Sequence, residues 1–397
     1  MAESLSLQQA IQKILQQISP LPSEEIPLSE ALYRRPSETL KALLPVPHFR
    51  QSTMDGYAVH SADLRDEDIL PVTGEIPAGC TDMKPLPAGQ AIRIMTGGVV
   101  PPGADRVIPQ EHCRKSKEGI FIPHMEQRRK NIRACGADLK KGQVIIRKGD
   151  CLEPGHLQFL ATSGYTSLPV FQQPAVAFLC TGSELVDMNP LPGQLISGNR
   201  ALISSLIQQA KALPVDLGTA VDNTHIIAEK IRQAGPAQII ITTGGMGPGK
   251  YDLIGEVCSE MGIKPLYRSL NVRPGRATLF GVKDSLLFFA LPGPPPAAHV
   301  LFQELVKPAI LALQGNTRQK TKTLTARLQE EITIRKRGLL NLKSAILYVH
   351  NGNLCVRQNN TVSKPPNAVI CIPANRRKIK KGEMVRVHPY DSLYSTD

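Results

Sequence analysis

From residue 174 onward, short apolar runs alternate with segments of helical spacing, and this pattern constrains the fold more than any other feature of the chain. "AVAFLC" (175–180), "VDLGTAV" (215–221), "AQIIIT" (237–242) and "LLFFAL" (286–291) read as strands. "NRALISSLIQQAKAL" (199–213), "THIIAEKIRQA" (224–234) and "AAHVLFQELVKPAILAL" (297–313) read as helices between and after them. Strands separated by helices pair in parallel, and the helices cover both faces of the sheet. Ligands of such sheets gather beyond the carboxyl ends of the strands. Thr181, Gly182 and Glu184 follow the first strand, Asp222 follows the second, and a glycine loop follows the third.

That loop, "TTGGMGPGKYD" (242–252), starts with Gly244 and Gly245 and comes close to a P-loop, since Gly244 to Lys250 fits G-x-x-x-x-G-K. The next residue is Tyr251, where a P-loop needs a Ser or Thr hydroxyl for Mg²⁺, and no acidic Walker B partner is evident. A strand, glycines and a helix still make an anion site, because free backbone N–H groups and the helix dipole face the ligand. Asp252 falls in the first turn of the following helix, suited either to stabilising that N-terminus or to holding a cation. Together Glu184, Asp222 and Asp252 place three carboxylates along one sheet edge. In "VRPGRATLFG" (272–281), Arg273 and Arg276 flank a Pro-Gly turn and offer an oxyanion clamp with the bidentate geometry lysine lacks. "LPGPPPAA" (291–298) is a rigid corner with few N–H donors and reads as structural.

Residues 1–170 are punctuated by Pro and Gly around short β-like runs such as "AIRIMTG" and "GQVIIRKGD", which predicts a β-rich region. The N-terminal "SLQQAIQKILQQI" predicts a helix, with Ser6 and Gln9 as a capping box and Leu7, Ile11, Ile14 and Ile18 on one face. It lacks the layout of a signal peptide, and no apolar run reaches the length of a membrane span, so the expected location is the cytoplasm. Eight cysteines without a C-x-x-C pair argue against zinc or a disulfide framework and predict core thiols. The formal net charge is +13, and residues 318–397 hold sixteen Lys and Arg against five Asp and Glu. A basic surface of this kind attracts polyanions. The candidates are nucleic acid, a membrane surface and a phosphorylated small molecule, beside a merely solvated basic face; with 4% aromatic residues and no recognisable nucleic-acid module, nucleic acid is the weak alternative.

"STMDGYAVHSAD" (52–63), "RIMTGGVVPPGADRVIPQE" (93–111), "NIRACGAD" (131–138), "CTGSEL" (180–185), "TTGGMGPGKYD", "VRPGRATLFG" and "ALPGPPPAA" (290–298) occur in this order. Over nearly its whole length the chain resembles the molybdopterin molybdenumtransferase family, the MoeA and gephyrin E-domain proteins. The resemblance implies a multidomain α/β and β protein with an L-shaped subunit. Its parts would be an extended discontinuous domain (1–48 and 139–172), a β-rich insert (49–138), a molybdopterin-binding α/β domain (173–317) and a C-terminal β-barrel (318–397). It implies a homodimer with the cleft between the insert of one subunit and the last two domains of the other.

The reaction so implied is insertion of molybdate into adenylylated molybdopterin, with Mg²⁺ and release of AMP. The resemblance assigns Asp55 and Asp138 to catalysis beside Thr96 and Gly97. Glu184, Asp222 and Asp252 match positions that handle the cation and the nucleotide end, and Asn199 and Arg200 match a stretch near the pterin. Thr181, Gly182, Gly244, Gly245, Arg273 and Arg276 complete the expected substrate contacts. Expected protein partners are the molybdopterin adenylyltransferase and molybdoenzyme apoproteins. The chain departs from the family pattern at Ser183, where an acid is common, and at Lys250, also in place of an acid. It departs again at Arg273 and Arg276 in place of lysines, and at Pro294 and Ala297 in the proline corner. Two functions therefore remain open: an active transferase, and a paralogue that binds molybdopterin or finished cofactor as a carrier or sensor.

Overall fold

The computed structural model describes residues 4–395 except 65–68, 82, 124–128, 187, 247–252, 317–321, 335–337, 360–363 and 391–393. The chain divides into two compact units, Glu25–Pro169, and Met1–Glu24 with Val170–Asp397.

In the first unit the strands that matter for the site are β1 (Gln51–Ser52), β2 (Gly56–Val59), β3 (Val72–Ile76), β4 (Ala91–Ile94), β5 (Arg106–Pro109) and β6 (Ile132–Arg133). Four of them form a sheet in the order β3-β4-β2-β5, while β6 pairs antiparallel with β1. Ala58, Ile92, Ile94 and Val107 pack on one side, and Tyr57, Val59, Ala91 and Ile108 on the other. Burial on both faces explains why "GYAV" is continuously apolar and does not alternate. At Gly56 a Cβ would lie 2.0 Å from the Ile108 carbonyl oxygen, so only glycine allows β2 and β5 to approach this closely.

The second unit holds the α/β sheet. Its strands are β7 (Ala175–Thr181), β8 (Leu213–Ala220), β9 (Ile239–Thr243), β10 (Lys264–Ser269), β12 (Ala277–Lys283) and β13 (Leu286–Leu291), with the short β11 (Val272–Arg273) outside it. The order is β8-β7-β9-β13-β12-β10. The first four strands are parallel, as expected, but β12 runs antiparallel to both its neighbours, so the sheet is mixed. The cause is local. Lys283 pairs with Leu286 across Asp284 and Ser285, and Asp284 adopts φ 52°; a two-residue loop with positive φ joins antiparallel strands only.

Helix α1 (Leu7–Leu15) begins at the expected capping box, in which Ser6 and Gln9 satisfy each other's backbone N–H groups. With α2 (Gly198–Gln209), α5 (Pro295–Leu301) and α6 (Lys307–Leu313), it covers one sheet face, where Leu7, Ile14, Ile203 and Ile310 meet Phe178 and Phe289. Helices α3 (Thr224–Arg232) and α4 (Leu253–Met261) cover the other through Ile227, Ile231, Ile254 and Val257. Each such side chain contributes about 1.5–3 kcal/mol on leaving water.

The basic C-terminal segment folds as a closed five-stranded barrel of β14 (Leu324–Leu328), β15 (Leu340–His350), β16 (Asn353–Gln358), β17 (Ala368–Ile372) and β18 (Met384–Pro389). The 11-residue β15 closes it by pairing with β16 near one end and β17 near the other. Ala326, Leu347, Val356, Ile370 and Val387 fill the interior. No disulfide joins the eight cysteines, and Cys80, Cys113 and Cys151 are only half-buried. Cys180, Cys258, Cys355 and Cys371 are the expected core thiols, but Cys135 is exposed on a turn and donates to the His48 carbonyl oxygen at 3.2 Å. Among the described residues no helix is long and apolar enough to cross a membrane.

Candidate functional site

Strand order locates a natural ligand position in the second unit. From β7 the chain crosses to β8 on one side, then returns past β7 to β9 on the other, making the carboxyl ends of β7 and β9 the switch point. Thr181 ends β7, and Thr243, Gly244 and Gly245 end and follow β9. Gly244 has φ +97°, and a Cβ there would stand 2.3 Å from the Thr181 carbonyl oxygen. Glycine is therefore what lets the two strand ends converge. The Thr181 hydroxyl donates to the Thr243 carbonyl oxygen at 3.3 Å.

Asn199, in the first turn of α2, is buried at the same point. Its amide donates to the Gly293 carbonyl oxygen at 2.7 Å and to Thr243 Oγ1 at 3.3 Å, tying the ends of β9 and β13 together. Its Oδ1 is buried with no hydrogen-bond partner, an acceptor that a ligand N–H or a water can satisfy. The proline corner is thus more than a rigid spacer, since its Gly293 carbonyl belongs to this network. The neighbouring Arg200 instead donates to Asp216 on β8 at 2.7 Å, and Asp216 also accepts from the Gly218 N–H.

Beside the switch point, Ser183 and Asp222 bond reciprocally. The Ser183 N–H donates to Asp222 Oδ2 at 3.2 Å, and the Asp222 N–H donates to Ser183 Oγ at 3.1 Å. Glu184 is exposed, and its carboxylate lies over Gly182, where a Cβ would come within 2.6 Å of Oε1. Asp252, the third carboxylate expected here, and Lys250 lie outside the described residues. Arg273 and Arg276 are exposed on the turn that leaves β11, and neither has an ion-pair partner among the described residues.

The first unit carries the other expected acids. Asp55 is exposed, and its Oδ1 accepts from both the hydroxyl and the backbone N–H of Thr96, each at 2.7 Å. The hydroxyl bond, then the N–H bond, with Arg93 adding to both, hold this carboxyl below the ordinary aspartate range. The Gly97 N–H donates to the Ser52 carbonyl oxygen at 2.9 Å, anchoring the Thr96 turn to β1. On the opposite edge of β1, β6 delivers Arg133, which forms an ion pair with Asp138. Arg133 lies within the "NIRACGAD" stretch, but only the fold turns it towards Asp138. Asp55 and Asp138 are therefore both oriented by neighbours and both open to solvent.

Residues 5–164 match the MoeA N-terminal region (domain I and II), and residues 177–312 match a probable molybdopterin binding domain. A molybdopterin molybdenumtransferase of Haemophilus influenzae is 31% identical over 402 residues, spanning 98% of this chain and 99% of that protein. The chain belongs to the molybdopterin molybdenumtransferase family. A family member from Staphylococcus epidermidis is 30% identical over 404 residues, spanning 96% of this chain and 95% of that protein. The fold is shared with a crystal structure of the molybdopterin biosynthesis MoeA protein from Pyrococcus horikosii (TM-score 0.84, 24% identity, 98% of this chain and 100% of that one). Within this family fold, Ser183 is the site feature hardest to value from sequence. Its hydroxyl gains meaning only once β7 and β8 bring it to Asp222.

Proposed function

We propose that this protein is a molybdopterin molybdenumtransferase, which inserts molybdate into adenylylated molybdopterin and releases AMP in molybdenum cofactor biosynthesis. The observation that carries the reading is the full-length likeness to named transferases, and the orientation of Asp55 by Thr96 and of Asp138 by Arg133 supports it. The substrate is a polyanion. Arg273 and Arg276, exposed and without an ion-pair partner among the described residues, supply positive charge for its phosphates. Asn199 Oδ1, buried and unpartnered, is available to a pterin N–H, and the narrow glycine turn admits the ligand close to the strand ends. Asp55, pre-ionised by Thr96, orients a water or a molybdate oxygen and does not act as a free nucleophile.

Glu184 and Asp222 are hard oxygen donors on adjacent loops, a set that suits Mg²⁺, which takes one or two carboxylates and completes its shell with waters and phosphate oxygens. No group of three His, Cys, Asp or Glu side chains stands ready for a metal among the described residues, which fits a shared shell better than a closed protein cage. When bound, Mg²⁺ supplies charge neutralisation at the phosphates. The same reading includes Asp252 as a further cation contact and the four-part division of the chain described above. It also includes a cytoplasmic homodimer in which the acids of one subunit serve the sheet edge of the other, exchanging ligand with the adenylyltransferase and molybdoenzyme apoproteins.

The test is AMP release from adenylylated molybdopterin with molybdate and Mg²⁺, comparing wild type with Asp55→Ala and with an EDTA-treated sample. Release by wild type alone is expected. Tight binding of the pterin with no AMP from any sample would instead make the protein a carrier.

A further inference from the structure

A buried acid in the second unit takes no part in the chemistry above. Glu304 is 2% exposed. It sits in a π-helical turn, Phe302–Val306, between α5 and α6. Pro308 explains the widened turn, because it has no N–H for the Glu304 carbonyl and its ring would collide with that group in a regular helix. Both Glu304 carboxylate oxygens lie 3.0 Å from Nδ1 of His388 on barrel strand β18. Cys371, Tyr390 and His299 lie around the pair, with Arg386 acting on Cys371 and Lys307 on His299. Burial, then Glu304 itself, push the Cys371 thiol and then the Tyr390 hydroxyl upward, and burial followed by Lys307 lowers His299 to about 4. A buried polar contact of this kind is a poor source of stability compared with apolar packing, but removing one partner strands the other away from water.

The pair joins two elements that meet again at the arginine turn. Val272 and Arg273 of β11 pair with Leu340 and Asn341 of β15, so the barrel wall extends into that turn. Asn341 pairs onward with Ile372 on β17, and β17 aligns Val369 with His388. From the other side, a Cβ on Gly275 would stand 2.6 Å from Leu301, one helical turn before Glu304. The turn between Arg273 and Arg276 is therefore wedged between the helix that carries Glu304 and the barrel sheet that carries His388.

We propose that the Glu304–His388 pair is a positioning latch, clamping the barrel to the α5–α6 helix and so setting where Arg273 and Arg276 present themselves to the phosphates of the substrate. This rests on the anion-binding role proposed for the two arginines.

Glu304→Gln, which keeps the shape and removes the charge, and His388→Gln are the variants to compare. In either, KM for adenylylated molybdopterin should rise about tenfold while kcat stays within about twofold. In an Arg273→Ala/Arg276→Ala background the same substitutions should leave KM unchanged. A KM rise that persists without the arginines overturns the latch. Hydrogen exchange tests it independently of substrate. The Leu270 amide, bonded to the Arg276 carbonyl oxygen at 3.0 Å, should exchange about tenfold faster in Glu304→Gln. Unchanged exchange there refutes the latch whatever the kinetics. Loss of both arginines with no effect on KM refutes the anion-binding role instead.

Discussion

Ser183 and Asp222 are joined by two hydrogen bonds, each residue donating its backbone N–H to the other's side chain. The pairing fixes the loop after β7 against the loop after β8 and leaves Asp222 Oδ1 free of any bond in that exchange. Where an acid would bring a second negative charge, Ser183 brings only an orienting hydroxyl. Ser183→Ala should cost about 0.5–1.5 kcal/mol of stability, the net worth of one such bond, and raise the Mg²⁺ concentration needed for half-maximal AMP release. Ser183→Asp should lower that concentration by adding a carboxylate oxygen. A Mg²⁺ titration of the three proteins reads both effects, and identical curves would remove Ser183 from the cation site.

Asp55 is ionised more readily than an ordinary aspartate because Thr96 donates to it twice. The folded carboxyl titrates below its unfolded value of about 3.9, so its contribution to stability is present above that pH and is lost as pH falls through the folded value. No loss of activity above about pH 4 should trace to this group. Thr96→Val keeps the N–H bond and removes the hydroxyl bond. The Asp55 carboxyl, followed by carbon NMR, should then titrate at higher pH than in wild type.

Gly244→Ala would force a Cβ to within 2.3 Å of the Thr181 carbonyl oxygen at a φ of +97°. Backbone strain of this kind costs about 1–3 kcal/mol, so the melting temperature should fall by several degrees. Substrate binding should fall with it, because relief of the clash separates the ends of β7 and β9. Thermal melts and pterin fluorescence titrations check the two effects. An unchanged melt would mean that the strand ends are not so tightly converged.

Asn199→Ala removes the amide that bridges Gly293 and Thr243 and leaves buried acceptors without their donor. The expected destabilisation is about 1–3 kcal/mol. Asn199→Asp should be worse, since it turns a carboxylate towards the Gly293 carbonyl. Urea denaturation of the two variants ranks them, and Asp at or above the stability of Ala would contradict the assigned amide orientation.

His299 is lowered to about 4, chiefly by burial and then by Lys307. The unfolded chain binds this proton near pH 6.5, whereas the folded chain refuses it until about 4, so folding stability should decline as pH drops across that window. His299→Phe keeps the ring stacked towards Tyr390 and should flatten this part of the profile. Chemical denaturation at a series of pH values measures it.

The strand–helix alternation, the Ser6–Gln9 capping box and the family motifs were legible in the chain, because periodicity, caps and turns depend on residues close in sequence. So was the placement of Thr181, Asp222 and Gly244 at strand ends, since strand boundaries carry local signals. The reversal of β12 has no comparably strong local signal, because Asp284–Ser285 is a weaker hairpin marker than Asn-Gly. The contacts that orient the site were hidden for a different reason. Ser183 meets Asp222 across 39 positions, Thr96 meets Asp55 across 41, and His388 meets Glu304 across 84. No local pattern encodes such pairings. They exist only because buried strands and helices bring distant loops within hydrogen-bond reach, so the sequence determined which groups were available and tertiary packing decided which of them act together.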